Sequence, residues 1–167
     1  MIAIRFALLG PVEVSAAGRH VAALAPRHRA VLAYLLLNTG IVVSAERLIE
    51  AMWGLTPPGS ARSQIQASLA AVRRALREAG AGDVVLTRPG GYLIQPESGA
   101  LDVAEFDRAS ASARTLPAQE AVLRLRLALR LWRGEPLADL DAGFVPSARV
   151  RLAKRRLAAV EQLIKVG

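Results

Sequence analysis

The chain has 167 residues, 53% of them hydrophobic but only 4% aromatic, so its core must be built from aliphatic side chains, as packed helices allow. It contains no cysteine and two histidines, which excludes disulfides, cysteine-ligated zinc, a cysteine nucleophile and a histidine-rich metal site. The formal net charge of +8 points to a polyanionic partner, although an arginine-rich, lysine-poor composition equally reflects a GC-rich genome, so the location of the charge has to decide.

The apolar run near the N-terminus is too short for a signal peptide, and no stretch reaches the roughly 18 apolar residues of a membrane span. A cytoplasmic protein without a membrane partner is expected. Ile2, Ile4 and Phe6 alternate, Gly10-Pro11 turns the chain, Val12 and Val14 alternate again, and Ala17-Gly18 turns it once more. This pattern predicts a small antiparallel sheet. Pro26 then opens a helix at a position where its missing N–H costs nothing. Ala30, Val31, Tyr34, Leu35 and Leu37 form its apolar face, and Asn38-Thr39-Gly40 ends it. After an extended link at Ile41–Val43, Ser44 caps a second helix with Glu46 in its first turn. Leu48, Ile49, Met52 and Trp53 are its inward stripe and Gly54 stops it.

Thr56-Pro57-Pro58-Gly59 is a loop, and Ser60 is predicted to cap a third, longer helix ending near Ala79. Two apolar runs on either side of Pro89-Gly90-Gly91 predict a hairpin. Pro96-Glu97-Ser98-Gly99 is a polar break, which places one domain at 1–97 and a second at 101–167. The first is expected to fold alone. Three helices follow: from Asp102 with Val103 and Phe106 inward, from Pro117 to about Arg133, and from about Pro146 to Lys165. The fold class is mainly α with small β-sheets: a winged helix-turn-helix of sheet, three helices and β-hairpin wing, followed by a helical domain.

The third helix carries the functional signal. Ile65, Leu69, Val72 and Leu76 fall on one buried stripe. The opposite face holds Ser63, Gln64, Ala67, Ala71 and Arg74, with Arg73 and Arg77 on the flanks and Arg62 at the N-terminal end. A face small and polar at its centre and positive at its edges can enter a major groove, where Gln reads adenine, Ala meets a thymine methyl and Arg grips guanine or phosphate. Taken alone, such a face is more often simply solvated. The order of short helix, loop, basic helix and Arg-tipped hairpin favours a winged helix, with Arg88 aimed at a flanking minor groove. DNA contacts are expected from Arg62, Ser63, Gln64, Gln66, Ala67, Ser68, Ala71, Arg73, Arg74 and Arg77 on the helix and from Thr87 and Arg88 in the hairpin.

Several segments together resemble the Streptomyces antibiotic regulatory protein family. They are Leu9-Gly-Pro-Val-Glu-Val14, Pro26-Arg-His-Arg-Ala-Val-Leu-Ala-Tyr-Leu-Leu-Leu37, Val43-Ser-Ala-Glu-Arg-Leu-Ile49, Met52-Trp-Gly54 and Leu86-Thr-Arg-Pro-Gly-Gly-Tyr-Leu93. Leu101-Asp-Val-Ala-Glu-Phe-Asp107 and Ala128-Leu-Arg-Leu-Trp-Arg-Gly-Glu-Pro-Leu137 extend the likeness to that family's activator domain. The resemblance implies a winged helix of the response-regulator (OmpR/PhoB) type and a tetratricopeptide-like helical array, here incomplete or short. It implies an activator of secondary-metabolite (antibiotic) genes that binds double-stranded DNA at promoter direct repeats, often as a side-by-side homodimer, and recruits RNA polymerase holoenzyme. The bound form would be nucleoid-associated. The chain departs from the family at Ala71, where a basic residue is common, and at Ser68, where an aromatic is frequent.

A protein-interaction module with a degenerate winged helix is the alternative. No enzyme is expected, since no Ser/His/acid set, metal-ligand spacing or phosphate loop is visible. No cofactor, metal site or catalytic residue is assigned. Asp139 and Asp141 near Glu135 are read as caps or solvated turns, and the run Arg149, Arg151, Lys154, Arg155 and Arg156 as a solvated helix face by default.

Overall fold

A computed structural model describes residues 3–21 and 23–167; the expected strand position at Ile2 lies outside the described residues. The first sheet is three-stranded and antiparallel, in the order β1 (Ile4–Ala7), β2 (Glu13–Ala16), β3 (Arg19–His20). Its register pairs Phe6 with Val14. Ala17 and Gly18 both lie at positive φ, 52° and 77°, the twist that a two-residue hairpin requires. Phe6, Leu8 and Leu9 are fully buried.

Helix α1 (Pro26–Leu37) has Pro26 at its start, as expected, but it buries more than one face. Leu32, Ala33 and Leu36 are inside as well as Ala30, Val31 and Leu35, because α1 lies at the centre, against α2, α3 and the second hairpin. Helix α2 (Ala45–Trp53) begins at Ser44, whose Oγ accepts from the Arg47 N–H at 3.1 Å, and ends at Gly54 with φ 65°. Leu48 and Met52 are buried; Ile49 and Trp53 are only half covered.

Helix α3 (Ala61–Glu78) buries Ile65, Leu69, Val72 and Leu76, the predicted stripe. The predicted side-chain cap at its start does not form. Ser60 already has near-helical backbone angles (φ −90°, ψ 11°), because the Ala61 N–H donates back to the Pro58 carbonyl. Its Oγ accepts from Gln64 Nε2 at 2.9 Å instead of from a backbone N–H. The second hairpin, β4 (Val85–Arg88) and β5 (Gly91–Ile94), turns through Pro89-Gly90. Gly90 has φ 92°, as the third residue of a type II turn requires, and Pro89 suits the second place of that turn. The Ile41–Val43 link joins this hairpin: Val43 and Tyr92 exchange two backbone hydrogen bonds of 2.7 and 2.9 Å.

Three helices complete the chain: α4 (Asp102–Ala113), α5 (Ala118–Leu129) and α6 (Val145–Val166), with α4 on α5 and α5 on α6. The fold is thus an N-terminal winged helix followed by a helical array. Helix α5 stops short of the expected Arg133, because the Arg133 N–H leaves the helix and donates to the Leu9 carbonyl at 2.7 Å.

The two halves are joined far more closely than the polar break suggests. The Phe6 N–H donates to the Ala100 carbonyl at 2.7 Å, and the Leu137 N–H to the Leu8 carbonyl at 3.1 Å. Asp102, 2% exposed, accepts from the Leu8 N–H through both oxygens (2.9 and 3.0 Å) and from the Leu9 N–H at 2.9 Å. Asp139 accepts from the Val12 N–H at 2.9 Å and pairs with Arg29. At the far end, Gly143 and Phe144 donate to the last carbonyls of α2, and Phe144 meets Tyr34 edge-on. A single cluster of buried side chains runs through both halves. The break at 96–99 is therefore a connection and not a gap, and the expectation that 1–97 folds alone has to contend with these crossing bonds.

Candidate nucleic-acid interface

The exposed face of α3 is defined by what α1 and α2 cover. Ser63, Gln66, Ala67, Ala70 and Arg74 are exposed in successive turns, with Arg62 and Arg77 at its ends. Ala70 belongs to this face and is missed by the sequence reading. Ala71, the neighbour that reading selects, is half-buried, because one residue turns the helix about 100° and carries it from the outward centre at Ala70 to the flank. Arg74 makes no ion pair or side-chain hydrogen bond among the described residues. Arg77 has Asp83 at 3.9 Å, a contact too long and too exposed to hold it.

Five of the expected contact residues, Ser68, Gln64, Arg73, Thr87 and Arg62, are engaged within the protein. Ser68 is fully buried, and its Oγ lies 2.8 Å from His28 Nδ1 on α1. It is withdrawn from the contact face: its position one turn from Ile65 and beside Leu69 puts it on the covered side of the helix. His28 occupies the space beside this small side chain. Gln64 accepts from Arg27 through Oε1 and donates to Ser60 through Nε2, while the Arg27 guanidinium lies 4.5 Å from the Trp53 ring. Arg73 donates from Nε and Nη2 to the Val85 carbonyl (3.3 and 3.2 Å) and from Nη2 to Thr87 Oγ1 (2.8 Å). Arg73 and Thr87 thus face each other. Arg62 donates to Glu46 on α2 at 2.8 Å and holds that carboxyl below the usual carboxylate range.

The wing is set against the helices at one tight point. A Cβ on Gly91 would lie 2.1 Å from the Val43 carbonyl oxygen, so only glycine lets β5 approach the start of α2. One residue before the turn, exposed Arg88 donates to its neighbour's Thr87 carbonyl at 3.0 Å. The face of α3 and the Arg88 tip are both uncovered.

In the basic run on α6, Arg151, Lys154, Arg155 and Arg156 are exposed and Arg149 is half-buried. Arg149 reaches back to the Pro136, Leu137 and Leu140 carbonyls (3.0, 2.8 and 3.1 Å) and braces a loop in which Leu137 itself sits at φ 56°. Arg155 pairs with Asp107 at 3.2 Å, and Arg156 lies 5.2 Å from the Trp132 ring. The half-buried Arg149 departs from the solvated-face reading; its sequence signal is only the Gly134-Glu135-Pro136 break, whose carbonyls need donors. Among the described residues no helix is long and apolar enough to cross a membrane.

Residues 19–94 match the family of the transcriptional regulatory protein C-terminal domain, and residues 101–167 match the bacterial transcriptional activator domain. Regulatory protein AfsR of Streptomyces coelicolor is 37% identical over 164 residues, covering 95% of this chain and 16% of that protein. Regulatory protein DnrI of Streptomyces peucetius is 36% identical over 166 residues, covering 92% of this chain and 61% of that protein. The solved structure of Mycobacterium tuberculosis EmbR in complex with a low affinity phosphopeptide superposes with a TM-score of 0.93 at 30% identity, over 99% of this chain and 46% of that one. The chain spans between 16% and 61% of the length of these relatives.

Proposed function

This chain belongs to the Streptomyces antibiotic regulatory protein family of transcriptional activators, and from that premise we propose that it acts by sequence-specific binding of double-stranded DNA. The observation that carries this reading is the uncovered face of α3, Ser63, Gln66, Ala67, Ala70 and Arg74, beside an uncovered wing tip bearing Arg88. Small side chains at the centre of that face allow close approach to base edges, and Arg74, free of internal partners among the described residues, can grip guanine or phosphate. Residues 1–97 form the DNA-binding part and 101–167 the helical activator part. The chain binds direct repeats as a side-by-side pair, recruits RNA polymerase and serves genes of secondary metabolism; the family membership supports these finer assignments. It works in the cytoplasm, on the nucleoid.

Quantitative band-shift on a duplex selected from random-sequence DNA by the wild-type chain tests the reading. Arg74→Ala and Arg88→Ala should each lose about 1–3 kcal/mol of affinity where they read a base. Their stability should change by less than about 0.5 kcal/mol, since both side chains are exposed. With four or five phosphate contacts, log affinity should fall with log salt at a slope of roughly −4. Two variants that bind as tightly as wild type would overturn the assignment of this face.

A further inference from the structure

Recognition helix and wing are joined laterally by one side chain. Arg73, on the flank of α3, sends its guanidinium to the Val85 carbonyl and Thr87 Oγ1 on β4, and its charge lies 6.0 Å from the Tyr92 ring on β5. Thr87 and Tyr92 are cross-strand partners, so the guanidinium grips one rung of the hairpin from both strands. Arg88 and Gly91 form the next rung, and only Pro89-Gly90 lies beyond it. A strand advances about 3.3 Å per residue, so the anchor sits one short step behind Arg88. The Val43–Tyr92 bridge ties the same rung to the start of α2. Buried Val85, Leu93 and Ile94 hold the base of the hairpin in the core, and Arg73 is the side chain that reaches from α3 to the Thr87–Tyr92 rung nearer the tip.

We propose that Arg73 is a positioning residue and not a DNA contact: it holds the wing at the angle to α3 at which Arg88 and the α3 face engage one duplex. The inference rests on the DNA-binding reading above. An arginine is suited to it because the planar fork donates to two acceptors at once, which a lysine ammonium on its flexible stem does not reproduce. It also accounts for Thr87, whose hydroxyl is the short partner in this set.

The test is a double-mutant cycle on the full chain with the duplex selected by the wild type. Arg73→Ala should weaken binding about as much as Arg88→Ala, roughly tenfold. The double variant should be no weaker than either single, because Arg88 loses its effect once the wing is unanchored. Arg73→Lys should recover little, and Thr87→Val should reduce the effect of Arg88→Ala in part. Amide hydrogen exchange without DNA supplies an independent reading: Arg73→Ala should speed exchange in residues 85–94 and leave α3 protected. Losses that multiply in the double variant, near-complete rescue by Arg73→Lys, or unchanged hairpin exchange would each overturn the proposal. A wild-type chain that selects no duplex, with the exchange result still as expected, would instead sink the DNA-binding reading and leave Arg73 as the anchor of the hairpin.

Discussion

Replacing Asp102 with alanine probes the joint between the two halves. Its carboxylate is inside the protein and accepts from the Leu8 and Leu9 N–H groups at 2.9–3.0 Å. Alanine leaves both donors facing a space without an acceptor. Each unpaired buried donor costs about 1–3 kcal/mol, and relief from burying a carboxylate offsets part of the sum, so a net loss of about 2–4 kcal/mol is expected. The Asp102→Asn variant keeps the volume but sets an amide N–H₂ against one of the two donors, so it should be destabilised as well. Urea unfolding followed by circular dichroism reads the loss as a shift in midpoint at constant slope. The pH dependence carries its own sign. Burial pushes the Asp102 carboxyl above its ordinary value, against the pull of the Leu8 and Leu9 N–H groups. The folded chain therefore holds this proton more tightly than the unfolded chain. The contribution of Asp102 to stability is fullest when it is protonated and declines as pH rises through the raised folded value. The stability gap between wild type and Asp102→Asn should widen on acidification from neutral pH. A loss below about 0.5 kcal/mol in Asp102→Ala, or a gap that narrows toward acid, would refute the reasoning.

Gly91→Ala drives a Cβ to 2.1 Å from the Val43 carbonyl, so the two-bond bridge to Tyr92 must open; a loss above about 2 kcal/mol, with faster amide exchange at Val43 and Tyr92, is expected. Leu69→Ala leaves a cavity under α3 and should cost about 2–5 kcal/mol by denaturant titration; unchanged stability with lost DNA binding would mean that Leu69 faces outward. Ala17→Gly relieves a residue held at φ 52° and should raise stability by about 1 kcal/mol, read as a higher thermal midpoint.

The elements are legible because their signals are local. Pro26, the Ser44 cap, the Gly54 stop and the Pro89-Gly90 turn each act within a few residues, and the 4-3-4 spacing from Ile65 to Leu76 marks the inner side of α3 without reference to any neighbour. The motif strings carry the family for the same reason. The allocation of polar side chains is not legible, because it depends on partners far along the chain. Helical phase puts Ser68 on the covered side and Gln66 on the open one, but nothing in the sequence records that Ser68 meets His28 of α1 there. Arg73 and Arg74 are adjacent and chemically identical, yet one meets the hairpin and the other meets solvent, because about 100° of helical rotation separates them. The polar break at 96–99 reads as a boundary, while the bonds that cross it, from Asp102 to Leu8 and Leu9 and from Arg133 to Leu9, join residues more than ninety positions apart. A buried N–H must find an acceptor wherever the fold brings one, and its sequence neighbourhood does not record which it will be.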